Sequence, residues 1–139
     1  MLSDEQLSLI RETAILLSEE NIAVTNAFYA RLFEVAPAVR PLFPQEMHNQ
    51  SEKLWETLVA VLRCADDLMA LEPVLFRLGR DHVSYGAMAE HYPVVANVLL
   101  ETIANVASQC WTDAHDAAWK ELLSFVTDHM MKGALHDAA

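Results

Sequence analysis

Three prolines, Pro37, Pro41 and Pro44, interrupt a chain whose other segments follow a helical pattern. Proline lacks a backbone N–H group and fixes its own φ angle, so each of these residues breaks an α-helix. The segment is therefore predicted to be a short, turn-rich corner that carries Leu42 and Phe43. Long helices joined by such a corner do not suggest a simple four-helix bundle. They favour helices packed at steeper angles around a central group.

Apolar residues in the rest of the chain recur at spacings of three and four, which predicts an all-α fold with about six main helices. A capping box at Ser3-Asp4-Glu5-Gln6 opens the first helix, and Thr112 is a good cap for the last one. The length suggests a single domain, residues 1–139, with a sizeable core. The predicted helices cover residues 3–19, 21–36, 49–66 and 73–88, a fifth opened by His91, and a sixth after Thr112.

The formal net charge of −11 argues against partners with a phosphate backbone and against anionic membrane surfaces. No apolar run approaches the length of about 18 residues that a transmembrane helix needs. The first residues, Met1-Leu2-Ser3-Asp4-Glu5, have neither the basic start nor the apolar centre of a signal peptide. We therefore expect a cytoplasmic protein that binds neither nucleic acid nor membrane.

Local spacing gives no zinc motif, because no two histidines form a His-x-x-x-His pair and there is no Cys-x-x-Cys. Cys64 and Cys110 are predicted to be free thiols, and a disulfide between them is also compatible with the sequence. Four of the remaining histidines are predicted to have no ligand role. His91 is expected to cap or pack a helix, His129 to be structural, and His115 and His136 to lie at the surface. The sequence predicts no role for His48.

His82 differs from the other histidines because it lies in the middle of an apolar helical stripe, with Leu75, Leu78 and Tyr85 at spacings of three, four and three. A buried imidazole needs a partner, which is either a protein group or a metal. The carbonyl of Leu78, four residues earlier, would accept the Nδ1 proton and leave the Nε2 lone pair free. That is the arrangement an axial metal ligand needs, although a core histidine satisfied by protein groups remains the alternative.

Two aromatic residues support the metal alternative. Phe43 lies in the proline corner, where a flat ring can pack on a flat cofactor. Tyr29 lies within an apolar stripe, and its hydroxyl needs a hydrogen-bond partner of its own. The alternative for Tyr29 is a core tyrosine bonded to a carbonyl, and Gln50 has the alternative of a solvated residue at a helix start.

Eight short segments in a fixed order carry a more specific pattern. They are Phe28-Tyr29 with Leu32-Phe33, Pro37, Pro41-Leu42-Phe43, Gln50-Ser51-Glu52-Lys53-Leu54, Leu78-Gly79-Arg80-Asp81-His82, Tyr85-Gly86 and His91-Tyr92-Pro93. With these segments the chain resembles the globins, specifically the single-domain bacterial globins related to the haem domain of flavohaemoglobins. The resemblance covers essentially the whole chain. It implies a globin fold, with the helices and the proline corner around a haem pocket, and haem b as the cofactor.

On the proximal side of that haem, the resemblance makes His82 the iron ligand, through Nε2, and Leu78 its backbone partner. Phe43 matches the phenylalanine that packs on the porphyrin face. Tyr92 matches a tyrosine that flavohaemoglobins pair with the proximal histidine. Those proteins add a glutamate to the pair, and alignment of the last helix puts Ala134 in its place, which argues against a strong electron push for peroxide-type cleavage.

On the distal side, the resemblance places Tyr29, Gln50 and Leu54. The phenol and the amide would donate hydrogen bonds to dioxygen, and they would be the catalytic residues if the protein is an enzyme. Leu54 would keep the pocket apolar. Lys53 would reach a haem propionate, or alternatively is an exposed helix lysine.

The first functional prediction is reversible binding of dioxygen. The second is a nitric oxide dioxygenase that forms nitrate with a reductase acting in trans, because the chain ends at Ala139 and has no Gly-x-Gly-x-x-Gly loop for a nucleotide. A haem-based gas sensor and a cofactor-free helical interaction module are further alternatives. The sequence is compatible with a monomer or a homodimer.

Overall fold

The computed structural model describes the backbone of residues 2–138 and the side chains of residues 2–135. This part of the chain contains six α-helices, two 3-10 helices and no strand, so the all-α prediction is confirmed. None of the described helices is both long enough and apolar enough to cross a bilayer. The elements are α1 (Asp4–Glu20), α2 (Ile22–Val35), a first 3-10 helix (Pro37–Leu42), α3 (His48–Arg63), a second 3-10 helix (Leu68–Leu71), α4 (Glu72–Ser84), α5 (His91–Val106) and α6 (Asp113–Ala138).

The two predicted caps are present in the structure. At the start of α1, the Gln6 N–H donates to Ser3 Oγ (3.1 Å), and the Ser3 N–H donates to Gln6 Oε1 (3.0 Å). At the start of α6, the His115 N–H donates to Thr112 Oγ1 (3.3 Å). Each pairing satisfies a backbone N–H that has no partner within its own helix.

The fourth predicted helix is wrong at its end, because α4 stops at Ser84 and not at residue 88. Gly86 has a φ of 91°, in the left-handed region that glycine adopts without strain. The Ala87 N–H turns back to the carbonyl oxygen of His82 (3.0 Å) and closes the helix. The residues after α4 therefore leave the helix axis and approach the proline corner, where Gly86 lies beside the Leu42 side chain.

The bounds of the other helices differ less from the predicted ones. The proline corner is itself a 3-10 helix, and a second one, Leu68–Leu71, lies in the predicted connection 67–72. The third helix ends at Arg63, three residues before the predicted end at residue 66. Short 3-10 turns of this kind are common as connectors between α-helices.

The core consists of large apolar side chains from all six described α-helices. Trp119 on α6 is the largest of them and is 1% exposed. Burial of each such side chain contributes about 1.5–3 kcal/mol to the free energy of unfolding. The most buried apolar members are Ile10, Leu17, Val24, Leu32, Leu75, Ile103, Trp119 and Leu122.

Helices α4 and α6 pack backbone against backbone at Gly79 and Gly133, a contact that we call the glycine crossing. A Cβ atom on Gly79 would collide with the carbonyl oxygen of Met130 in α6. A Cβ atom on Gly133 would collide with the carbonyl oxygen of Phe76 in α4. Both positions therefore require the absence of a side chain, and the crossing fixes the distance between the two helices.

Candidate functional site

The first part of the candidate site is the hydrogen bond between Tyr29 on α2 and Gln50 on α3. The Gln50 Nε2 group donates to the Tyr29 hydroxyl oxygen at 3.3 Å. Tyr29 is 6% exposed and Gln50 is half-buried. Because the phenol oxygen already accepts from Gln50, its own proton is available to donate, and no acceptor for it is found among the described residues.

A second hydrogen bond brings α2 and α3 together one turn before Tyr29. The Thr25 hydroxyl donates to the carbonyl oxygen of Ser51 at 3.0 Å, and Thr25 is fully buried. Since Ser51 follows Gln50 directly, this contact sets the position of the amide relative to the phenol. Sequence reasoning did not predict it, because Thr25 and Ser51 are distant in sequence and have no signal of their own.

Aromatic rings surround the Tyr29 phenol. The Phe43 ring meets it edge-on with centroids 5.5 Å apart, and the Phe33 ring stacks on it at 6.0 Å. Phe33 and Phe43 also contact each other at 5.3 Å. We call Tyr29, Phe33, Phe43 and Gln50 the distal cluster. It combines one hydroxyl and one amide with apolar walls, which strengthens hydrogen bonds made inside it.

Arg40 holds the segment that carries Phe43. Its guanidinium donates to the carbonyl oxygens of Pro44 (2.9 Å) and Gln45 (3.1 Å) and lies 4.9 Å from the centroid of the Phe33 ring. These contacts satisfy carbonyls that no helix uses. Arg40 was not predicted as a site residue, and its position between Pro37 and Pro41 is the signal that could have found it.

Burial raises the pKa of the Tyr29 hydroxyl above its ordinary value of 10.0, and the hydrogen bond from Gln50 lowers it by a smaller amount. The phenol therefore keeps its proton throughout the neutral pH range. A protonated phenol is a hydrogen-bond donor, which suits a ligand that carries partial negative charge.

His82 on α4 has the predicted backbone partner. Its Nδ1 lies 2.6 Å from the carbonyl oxygen of Leu78. A carbonyl oxygen only accepts, so Nδ1 carries the proton and the Nε2 of the neutral ring keeps a free lone pair. The side chain is half-buried, and the Tyr85 ring meets it edge-on at 5.8 Å. Among the described residues, no hydrogen bond or ring contact joins His82 to the distal cluster.

The glycine crossing determines where His82 lies, since Gly79 is three residues earlier on the same helix. Beyond His82, the chain turns at Gly86, and an added Cβ there would lie 3.1 Å from Leu42 Cδ2. The end of α4 thus lies beside the first 3-10 helix, which precedes Phe43. Sequence reasoning did not predict the crossing, because a glycine within a helical pattern carries no information about its partner.

The remaining predicted residues take different positions. Tyr92, at the start of α5, is buried, and burial raises the pKa of its hydroxyl. Leu54 on α3 is half-buried and packs against the core. Lys53 is exposed and Ala134 is half-buried. The roles assigned to these residues stay predictions.

Two other histidines have the structural roles predicted for them. His91 accepts a hydrogen bond from the Met88 N–H at its Nδ1 (3.0 Å), which ties the turn before α5 to the first residue of that helix. His129 lies 2.9 Å from both the Phe125 carbonyl oxygen and Glu72 Oε1. His48, left open by the sequence, pairs with Glu52 one turn along α3 (2.9 Å).

The surface prediction for His115 is wrong: the residue is 4% exposed and lies beneath α1. The prediction for His136 falls on a side chain outside the described residues. Cys64 and Cys110 are both free thiols and half-buried, so the free-thiol alternative is confirmed.

Sequence comparison identifies relatives along nearly the whole chain. The profile of the globin family matches residues 26–130. A flavohemoprotein of Chromobacterium violaceum is 35% identical over 134 residues, which are 94% of this chain and 33% of that protein. The chain therefore spans about a third of the length of the curated relatives that it matches.

Solved structures show the same architecture. An engineered carbene transferase from Rhodothermus marinus, a candidate nitric oxide dioxygenase, superposes with a TM-score of 0.86 at 29% identity, covering 98% of this chain and 95% of that one. A bacterial globin of Campylobacter jejuni superposes with a TM-score of 0.83 at 23% identity, covering 96% and 97% of the two chains. The second likeness concerns the fold alone.

Proposed function

This chain belongs to the globin family, and from that premise we propose that it binds haem b with His82 as the iron ligand and binds dioxygen reversibly. When bound, haem supplies a ferrous iron that holds a diatomic gas and shifts negative charge onto it. The observation that carries the proposal is the geometry of His82. Its Nδ1 proton is committed to Leu78, so its Nε2 is a ready metal ligand with a fixed ring orientation.

The residues of the site fit a haem in three respects. A single neutral imidazole provides the axial donor. The Phe43 ring, in the segment held by Arg40, provides a flat apolar surface beside the site. Leu78 and Leu54 provide half-buried apolar contacts from α4 and α3. Lys53, exposed on α3, is placed in this proposal near the propionates.

Cofactor attachment is proposed to be non-covalent. Covalent haem attachment uses a Cys-x-x-Cys-His motif, which this chain lacks. Its two cysteines, Cys64 and Cys110, lie at the end of α3 and after α5, away from His82 in sequence. These features support haem b in place of a c-type haem.

The distal cluster supports reversible dioxygen binding. The Tyr29 proton is available for a gas ligand, and Gln50 holds the phenol in place from the other side. Each hydrogen bond to the ligand is expected to contribute about 1–2 kcal/mol to its retention. Phe33 and Phe43 limit the access of water to the pocket, which slows loss of an electron to solvent.

Cycling the reduced, haem-loaded protein between dioxygen and argon tests this proposal. The visible spectrum should change on each addition of dioxygen and return to the deoxygenated form on each removal. Conversion to the ferric form in the first cycle would contradict reversible binding as the function. Deoxygenated protein that is held for the same time under argon is the control for spontaneous oxidation.

A second candidate function is nitric oxide dioxygenase activity, favoured by the likeness to the Rhodothermus marinus protein and to flavohemoproteins. In that reaction, nitric oxide, dioxygen and one electron yield nitrate. The proposed partner is a reductase that acts in trans and delivers the electron. Tyr29 and Gln50 would hold dioxygen in place while nitric oxide enters the apolar pocket.

Nitrate formation separates the two functions. The rate is measured with nitric oxide and dioxygen in the presence and in the absence of a flavin-containing reductase. An enzyme gives nitrate over many turnovers only when the reductase is present. A single equivalent of nitrate in both conditions would leave dioxygen binding as the function.

A further inference from the structure

A cluster of metal-ligand side chains lies outside the site described above. It consists of Glu12 on α1, Cys110 in the turn after α5, and His115 in the first turn of α6. One potential ligand atom from each residue lies within 4.8 Å of the other two. None of the three belongs to α2, α3, α4 or the proline corner, which carry the distal cluster and His82.

His115 is the buried member of the cluster, and one of its ring nitrogens faces the other two residues. The residue is 4% exposed, and its Nε2 is buried without a hydrogen-bond partner of adequate geometry among the described residues. The nearest acidic atom is Glu12 Oε1, at 3.5 Å. A buried nitrogen without a partner is uncommon in folded proteins and calls for an explanation, for which an ion is one source.

The other ring nitrogen of His115 has a partner suited to a metal ligand. The Thr112 hydroxyl oxygen lies 2.8 Å from Nδ1. The Thr112 backbone N–H also donates to Nδ1 (3.2 Å), so without an ion the neutral ring carries its proton on Nε2, which faces Glu12. An ion at Nε2 requires the proton on Nδ1 instead, where the Thr112 hydroxyl oxygen is placed to accept it. Histidine ligands are commonly held by such a hydrogen bond from the second nitrogen. The Trp111 ring packs over the imidazole at 5.6 Å and shields it from solvent.

The distances suit a tetrahedral ion. Nitrogen and oxygen ligands about 2.0–2.1 Å from zinc lie roughly 3.4 Å apart, close to the 3.5 Å between His115 Nε2 and Glu12 Oε1. A thiolate about 2.3 Å from the same ion lies roughly 3.6 Å from each of the others, so the distances from the Cys110 sulfur, which are within 4.8 Å, need to shorten by about 1.2 Å at most. Its present contact, with the Ala107 carbonyl oxygen at 3.5 Å, is weak.

We propose that Glu12, Cys110 and His115 form a zinc site with a fourth position for water. Thiolate, imidazole and carboxylate together select zinc over calcium and magnesium, which take oxygen ligands. The thiolate and the carboxylate neutralise the two charges of the ion, and the acidic chain attracts cations in general. Local spacing did not predict the site because each ligand comes from a different element.

Protection of the cysteine thiol from alkylation tests the proposal. Purified, untagged protein is treated with iodoacetamide with and without zinc chloride, and the modified fraction is followed by mass spectrometry. The Cys64→Ala variant leaves Cys110 as its one thiol, and Cys110→Ala leaves Cys64 as a matched, half-buried control. At a zinc concentration ten times the Kd, alkylation of Cys110 should slow about tenfold, because about one site in ten remains free.

Glu12→Gln, made in the Cys64→Ala background, tests the carboxylate without disturbing the core, since the Glu12 side chain is 53% exposed. It should weaken zinc binding about tenfold or more. Unprotected Cys110 at the highest zinc concentration the protein tolerates would overturn the proposal. Equal protection of Cys64, or unchanged protection in Glu12→Gln, would overturn it as well. The readout follows thiol chemistry, so it is independent of haem and gas binding.

Discussion

The distal cluster and the glycine crossing are built by different means. In the distal cluster, side chains from α2, α3 and the proline corner meet through one hydrogen bond and several ring contacts. At the glycine crossing, the backbones of α4 and α6 touch and leave no space for a Cβ atom. A side chain of the distal cluster can be replaced while the backbone stays in place. A side chain added at the glycine crossing forces the two helices apart. The distal cluster is therefore the adjustable part of the molecule, and the glycine crossing, three residues before His82 on α4, is the part that fixes the fold.

This difference predicts a division of effects. Substitutions in the distal cluster should change ligand release and leave the free energy of unfolding nearly unchanged. Substitutions at the glycine crossing should lower the free energy of unfolding and displace His82 together with α4. Four variants or conditions test this division, in decreasing order of expected effect.

Gly79→Ala should have the largest effect, because the added methyl group collides with the Met130 carbonyl oxygen, which cannot rotate away. We expect the free energy of unfolding to fall by about 3 kcal/mol, measured by urea denaturation. Val74→Ala, at a 48% exposed position of the same helix, is the control and should change it by less than about 1 kcal/mol. Equal stability of Gly79→Ala and the parent protein would show that the crossing is not rigid.

Tyr29→Phe should speed dioxygen release from the haem-loaded protein roughly 5- to 30-fold, because the lost hydrogen bond is worth about 1–2 kcal/mol. The release rate is measured by stopped-flow mixing with a competing ligand. Tyr85→Phe, at a 62% exposed position, is the matched control. An unaltered rate in Tyr29→Phe would assign the donor role to Gln50 or to water.

Gln50→Leu should have a smaller effect on the same rate, roughly two- to tenfold, because Gln50 acts mainly through its hydrogen bond to Tyr29. Asn49→Leu, one residue earlier and exposed, controls for the added apolar side chain. A larger effect for Gln50→Leu than for Tyr29→Phe would reverse the proposed roles of the two residues.

Raising the pH into the alkaline range should have the smallest of the four effects, and it acts on the free energy of unfolding. Burial raises the pKa of Tyr29 and of Tyr92 above the ordinary 10.0, so the unfolded chain ionises first as the pH rises. The contribution of these groups to stability is full below about pH 10 and declines above it. Tyr29→Phe should make this decline less steep in urea titrations. An identical decline in Tyr29→Phe and Tyr85→Phe would contradict burial as the cause.

The contact between His82 and Leu78 could be predicted from sequence because it depends only on helical geometry. A separation of four residues places a carbonyl within reach of the imidazole whatever the rest of the fold does. The all-α fold followed in the same way from the spacing of apolar residues. The predicted end of α4 was wrong because the helical pattern of the sequence continues past Gly86, whereas the chain makes a left-handed turn at that residue.

Contacts between distant elements could not be predicted from periodicity. The pairing of Tyr29 with Gln50 was expected only from the resemblance to globins, since it depends on how α2 packs on α3. The burial of His115 depends on α1 lying over the first turn of α6, and its own segment contains polar neighbours such as Asp113 and Asp116. The polar neighbours predicted that His115 lies at the surface, but the packing of α1 on α6 buries it.

Haem titration of the parent protein and of His82→Ala tests the central claim most directly. The parent should bind one equivalent of haem with an intense Soret band and a ferrous spectrum typical of histidine ligation. His82→Ala should lose that spectrum and regain it when imidazole is added, whereas His48→Ala, whose side chain is 64% exposed, should behave as the parent does. An unchanged ferrous spectrum in His82→Ala would contradict the account.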